Sequence, residues 1–442
     1  MQTSFRFNYD PDQSESLRRS SVPVLLTLYV ALLPIQFQVV EGFNFAPSDI
    51  FLLVYLLFQS NRLQFRKGAW SIWHAALLPM MILSAWVGFR QNGELTSYVV
   101  VNKLLGILWL LVGYGALSSE MSTEAAVRSL ARTFVASVSA LNILAIAGFY
   151  WPPLESLMPQ LNYSAGERVA GLLVDPNAFG GLLLTALVLQ AVTGLNKAPL
   201  FRGVAGPLIC ASLSAGLALT FSRSAWIGLA AALVFLAAVR PIHGLKMAAV
   251  IGTSGMVLLA YMAHRDFDHF YAMSIRPETI QSRIDIGGAA LDGFLAHPIL
   301  GTGLGTFVVE HGIIIHNTYL WFLSECGVIG AMVVIGLTMW YFKVAIPVIR
   351  SSRGFQRALI VALAVAHAGM LGVSAGIEVF YQRHWWLVMA MIAACRTNFS
   401  QPQFVKVWFA PPSESLALSP AQFSPSNRPI LRADWRANEG QS

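Results

Sequence analysis

The 442-residue chain is 56% hydrophobic and only 12% charged, with a mean hydropathy of +0.60. Soluble domains carry about a quarter charged residues, so this composition excludes an ordinary water-soluble globule. Continuous apolar blocks also exclude a barrel, whose strands alternate lipid-facing and lumen-facing residues. The formal charge of +7 does not indicate nucleic-acid binding, because the basic residues sit at the ends of apolar blocks and in a tail.

In chain order, residues 1–20 form a tail containing Asp10, Asp12 and Glu15. The first apolar block lacks a small-residue cleavage site, so a retained helix is expected rather than a cleaved signal peptide. Candidate spans follow at 21–40, 47–59, 70–89, 98–117, 126–150, 171–193, 204–221, 224–239, 247–264, 317–342, 358–373 and 376–395. A 30 Å hydrocarbon core takes about 20 helical residues, which makes 47–59 the weakest of them. The expectation is an all-α polytopic bundle of about twelve transmembrane helices over 21–396, with one large loop at 264–316. Residues 397–442, rich in Pro and Ser, read as a disordered cytoplasmic extension. Cys210, Cys326 and Cys395 all fall in apolar blocks and read as core residues, not a disulfide or metal framework.

Orientation follows from the basic residues. Arg18/Arg19, Arg62/Arg66/Lys67, Arg128/Arg132, Lys197/Arg202, Arg240/Lys246, Lys343/Arg350/Arg353/Arg357, Arg396 and the tail lie on one side. The opposite loops hold Arg90, Lys103, Arg168, Arg223, Arg265, Arg276, Arg283 and Arg383. Counting the tail, the first set outnumbers the second by more than two to one, which places both termini in the cytoplasm and the large loop outside.

The sparse outward cations are the first candidates for chemistry, since charge beside a membrane is expensive. Arg223 lies in the short polar turn Phe221-Ser222-Arg223-Ser224. An isolated Arg there is commonly an interfacial anchor, but the flanking serines at the mouth of two helices point to binding. Within the loop, the apolar residues of 282–294 predict an amphipathic surface helix that Arg283 would start; Arg265 and Arg276 read as solvated charges. Next, His297-Pro298 leads into Gly301-x-Gly303-x-Gly305. Such glycines let a backbone approach a ligand, although a tight surface turn is the commoner arrangement and no nucleotide fingerprint is present. His316 sits where the loop re-enters the membrane, with Asn317 or Thr318 placed to cap the helix. An imidazole with an ordinary pKa of about 6.5 can accept a proton there. Glu325, two turns deeper, is either a polar lock or a site component. No His/Cys/carboxylate cluster has metal-ligand spacing.

Ser222-Arg223-Ser224-Ala225, Arg283, the His297-Pro298…Gly301-x-Gly303-x-Gly305 turn and His316-Asn317-Thr318-Tyr319-Leu320…Glu325-x-Gly327 together resemble the O-antigen ligase and O-antigen polymerase (Wzy-type) superfamily of membrane glycosyltransferases. The resemblance covers about 207–336; Gly171…Asp175-Pro176-Asn177 resembles a further segment of these proteins. It implies a GT-C-like helical enzyme of the bacterial inner membrane, acting at the periplasmic face without cofactor, nucleotide sugar or metal. The implied partners are an undecaprenyl-diphosphate-linked glycan donor, a glycan or lipid A-core acceptor, the bilayer and other polysaccharide-export components. By position, Arg223 and Arg283 would hold the diphosphate, with Arg168 a third basic candidate, and His316 would be the catalytic base. Asn317, Glu325 and Gly303 would support the site. Polymerisation for O-antigen or exopolysaccharide is the favoured activity, and ligation to lipid A-core the alternative. A transporter of lipid-linked glycan would instead line a midplane cavity with charge and show inverted repeats; here charge gathers at one face, and no repeat is seen.

Overall fold

A helix falls within each of the twelve apolar segments of the computed structural model. It describes residues 22–399 apart from 41–42, 60, 62, 64–65, 67, 164–167, 174, 266, 269–270 and 272–275. The expected tails, 1–20 and nearly all of 397–442, therefore lie outside the described residues. The helices are α1 (Val24–Leu32), α2 (Pro47–Gln59), α3 (Ile72–Asn92), a π-helix (Tyr98–Leu105) running into α4 (Gly106–Glu120), α5 (Glu124–Tyr150), α6 (Pro152–Leu157), α7 (Pro176–Leu195), α8 (Ala205–Leu219) and α9 (Arg223–Val239). They continue with α10 (Pro241–Arg265), α11 (Pro277–Ala296), α12 (Thr306–His311), α13 (Thr318–Ser351), α14 (Gly354–Val373) and α15 (Arg383–Phe399). A 3-10 turn (Pro159–Leu161) and two antiparallel two-stranded hairpins, β1–β2 (Phe37–Val40, Phe43–Phe45) and β3–β4 (Asn162–Tyr163, Arg168–Val169), lie among the described residues as well.

Among the described residues, six stretches are long and apolar enough to cross a membrane: α3, the π-helix with α4, α5, α7, α13 and α14. Three more, α2, α8 and α9, are apolar but shorter. The protein is thus a helical polytopic membrane protein. At its centre, α7 and α14 are buried on nearly every side, as befits helices that are apolar all round. Around them, outer helices expose large apolar side chains such as Ile72, Trp86 and Val234, a surface suited to lipid rather than water.

Three sequence expectations are corrected. The span expected at 21–40 stops at Leu32, because Pro34 cannot continue the helix, and the chain turns into β1. The span expected from 376 begins only at Arg383, since 374–382 forms an irregular reversal whose carbonyls cap α13. Lys103, counted among loop cations, lies inside the π-helix and is 3% exposed.

The glycine turn is also not at the surface: Gly301 through Phe307 are buried. Gly303 has φ +94°, and a Cβ there would lie 2.1 Å from the backbone nitrogen of Gly88 in α3. Opposite, α13 breaks its helical path at Gly327 (φ 65°, ψ −165°). Across that break Thr302 N–H donates to the Ser324 carbonyl (2.9 Å), Gly303 N–H to that of Glu325 (3.1 Å), and Val328 N–H to that of Pro298 (2.9 Å). The glycines admit the backbones of α3 and α13, not a ligand.

Candidate active site

The site is built on the start of α13. Asn317 adopts extended backbone and its Oδ1 accepts hydrogen bonds from the N–H groups of Tyr319 (2.9 Å) and Leu320 (3.0 Å), satisfying donors that an α-helix leaves open at its first turn. Its Nδ2 donates to the Ala375 carbonyl at 3.0 Å. Asn317 is therefore the cap, and Thr318 bonds the 374–382 reversal instead: its Oγ1 donates to the Ile377 carbonyl (3.1 Å) and accepts from Val379 N–H (3.1 Å). Both fix the backbone immediately after His316.

Against this start lies α11. It begins at Pro277, so Arg283 stands in its second turn instead of opening it. Arg283, Ile286, His316, Asn317, Leu320 and Gly376 line a cleft of about 100 Å³. Ligand pockets for drug-sized molecules run to about 300–1,000 Å³, so this cleft holds a headgroup or a few sugar atoms, and anything larger must extend outside it. Among the described residues, neither the Arg283 guanidinium nor the His316 ring has a hydrogen-bond or ion-pair partner. Partial burial and the neighbouring charge of Arg223 pull the Arg283 pKa down, opposed by Asp175; an Arg nevertheless stays cationic. Burial and then Arg283 hold the His316 pKa below its ordinary value, opposed by Asp175 and Glu378. Both effects favour the neutral imidazole, the form able to take a proton.

Arg223 is the first residue of α9, whose N-cap is Ser222. The flanking serines serve packing rather than binding. Ser222 Oγ accepts from Ala225 N–H (3.2 Å) and donates to Asn177 Oδ1 (3.0 Å), and Ser224 is buried. Arg223 Nη2 donates to Thr279 Oγ1 of α11 at 2.6 Å. Arg276, expected to be a solvated charge, donates to the Phe221 carbonyl at 2.6 Å and so ties the start of α11 to the same turn. The side chain of Arg265 lies outside the described residues.

The other expected site residues are elsewhere. Arg168 is 6% exposed and donates through Nε to the Thr220 carbonyl (2.8 Å) and through Nη2 to Asn177 Oδ1 (3.2 Å). It braces the turn that carries Arg223. Glu325 is fully buried, accepting from Trp321 Nε1 (2.7 Å) and Phe307 N–H (3.3 Å); it is a polar lock beneath the glycine turn that contains Gly303. Arg383, for which the sequence offers no role, pairs with Asp49 at 2.5 Å.

Sequence reasoning missed Asp175, Glu378 and Lys103. Asp175 caps α7, accepting from Asn177 N–H at 2.9 Å, and its charge reaches both Arg283 and His316; the Asp-Pro-Asn string was its available signal. Lys103 and Glu378 form a buried ion pair at 2.5 Å, but 275 residues separate them, and no local pattern announces it.

In this helical polytopic membrane protein, Arg283 and His316 meet at the start of α13, and the charge of Arg223 reaches Arg283. Residues 208–335 match the family model described as O-antigen ligase, so this central region is similar to that family. The match includes Arg223, Arg283 and His316 but neither Arg168 nor Asp175. No curated protein matches the chain.

Proposed function

We propose that the protein transfers a glycan from a polyprenyl (undecaprenyl) diphosphate to a sugar hydroxyl at the periplasmic face of the bacterial inner membrane. The observation that carries this reading is the pairing, in one cleft, of the Arg283 guanidinium and the His316 imidazole, neither of which has a hydrogen-bond or ion-pair partner among the described residues. His316 removes the acceptor hydroxyl proton. The freed oxygen attacks the donor's anomeric carbon, and the bond from that carbon to the diphosphate oxygen breaks. Its electron pair leaves with the diphosphate, whose charge Arg283 and Arg223 neutralise through charge-assisted hydrogen bonds. Arg168 braces this turn instead of touching the substrate. The donor's lipid stays in the bilayer, which is why the site opens at a helix entrance.

The basic-residue distribution supports a twelve-span topology with both termini cytoplasmic. Within the family, we favour a polymerase of O-antigen or exopolysaccharide repeat units. Transfer to lipid A-core is the second reading, favoured by the description of the matched family. Reconstitution with a lipid-linked repeat unit tests the activity: wild-type protein forms longer glycan, His316→Ala does not. A deletion strain separates the two readings. Surface lipid bearing single repeat units indicates a polymerase, and long glycan lacking its lipid anchor indicates a ligase.

A further inference from the structure

The segment 374–382 between α14 and α15 has no regular structure, yet it forms one wall of the cleft through Gly376 and holds the start of α13. Thr318 N–H donates to the Ser374 carbonyl at 2.9 Å, in addition to the Asn317–Ala375, Thr318–Ile377 and Val379–Thr318 bonds. His316 is therefore only as well placed as this segment. Two contacts anchor it to the π-helix. Glu378 pairs with Lys103 at 2.5 Å, both side chains at least nine-tenths buried, and Tyr381 OH donates to the Lys103 carbonyl at 3.2 Å. The Lys103 ammonium also lies over the rings of Trp321 (4.1 Å), Tyr381 (4.6 Å) and Tyr98 (5.0 Å), and Trp321 belongs to α13 itself. A π-helix is rare and recurs at functional sites; here it carries the lysine into the cage. Burying an ion pair stabilises a fold little compared with apolar residues of similar volume, so stability alone does not account for this one.

We propose that the Lys103–Glu378 pair is a positioning device for the reaction: it clamps segment 374–382 and so sets the distance between His316 and Arg283. This rests on the reading of the cleft as the active site, and the experiment separates the two.

The double variant Lys103→Met/Glu378→Gln removes both charges, so neither is left buried and alone. Reconstituted in lipid with a lipid-linked repeat unit, it should accumulate like wild type and keep its donor KM, while kcat falls about 10- to 100-fold, the loss expected when a reacting group moves by about 1 Å. The groups facing His316 are Arg283 of α11, Asp175 before α7 and Glu378 itself. Glu378→Gln alone, which keeps the Lys103 charge, removes the carboxylate that raises the His316 pKa, so its acid limb of kcat/KM should move to lower pH, which simple loss of packing would not do. Glu378→Asp, which keeps the charge but shortens its reach, should lose kcat with normal accumulation even if the double variant folds poorly. Wild-type kcat in Glu378→Asp, or wild-type kcat in the double variant, overturns the positioning role. Activity retained by His316→Ala overturns the active-site reading instead.

Discussion

Arg168 and Arg283 look alike in sequence, outward-facing cations beside apolar spans, yet the fold treats them oppositely. Arg168 is buried and gives its N–H groups to the Thr220 carbonyl and Asn177. Arg283 is half-buried, faces a cleft and, among the described residues, gives its N–H groups to nothing. A buried cation with its donors satisfied braces the backbone that accepts from them. A partly desolvated cation without partners sits in an unfavourable state that an anion relieves. Hydrogen-bond saturation, more than position in the sequence, separates the structural arginine from the one available to substrate.

The largest effect should come from His316, the proposed base in the cleft that Arg283 lines. His316→Ala is expected to lower transfer by about 10²- to 10⁴-fold, the usual contribution of a general base, with normal membrane insertion; product formation from a lipid-linked repeat unit measures it. Arg283→Met should follow, with a loss of about 10²- to 10³-fold, as for removal of one group stabilising a leaving charge. Because that substitution removes a half-buried charge with no ion-pair partner among the described residues, the thermal midpoint of the purified protein should hold steady or rise. A fall in both activity and midpoint would make Arg283 a structural residue like Arg168 and erase the contrast.

The start of α13 was the most legible part of the site. His316-Asn317 at the junction of a polar loop and an apolar block announces a capped helix with a titratable group before it, and the cap is Asn317. Arg223 and Arg283 were legible as sparse charges, but what each touches depends on α9, α11 and α7 meeting in space. The glycine turn misled in its commoner reading because positive φ and close approach look the same whether the neighbour is water, ligand or the backbone of α3. Lys103–Glu378 was invisible: a lysine five residues after Tyr98 reads as a span boundary, and nothing local shows that a π-helix turns it inward towards a carboxylate 275 residues on. Span boundaries failed at Pro34 and at 376–382, where local breakers or capping duties outweighed hydropathy.

On the other side of the comparison, Arg168→Met should act on stability first. It forfeits two charge-assisted bonds and leaves the Thr220 carbonyl and Asn177 short of a donor, a loss of about 3 kcal/mol at such rates per bond. A lowered thermal midpoint with near-normal turnover per folded molecule is expected. Turnover lost at an unchanged midpoint would move Arg168 into the substrate-binding set.

The smallest effect tests the electrostatics that join the two regions. Asp175 caps α7 within the Arg168 network through Asn177, while its charge acts on Arg283 and His316 in the cleft. Asp175→Asn keeps an oxygen to accept from Asn177 N–H, so the cap persists while the charge is lost. Asp175 raises the His316 pKa; its removal therefore lowers that pKa further. On the proposed mechanism the neutral imidazole is the working base, so activity should extend to lower pH, with turnover at neutral pH little changed. Arg283 lowers the same pKa, so Arg283→Gln should move the acid limb of its residual activity upwards. Opposite shifts in the two kcat/KM profiles would place both charges around one imidazole, whereas shifts in the same direction, or none, would mean that His316 is not the group whose titration limits transfer.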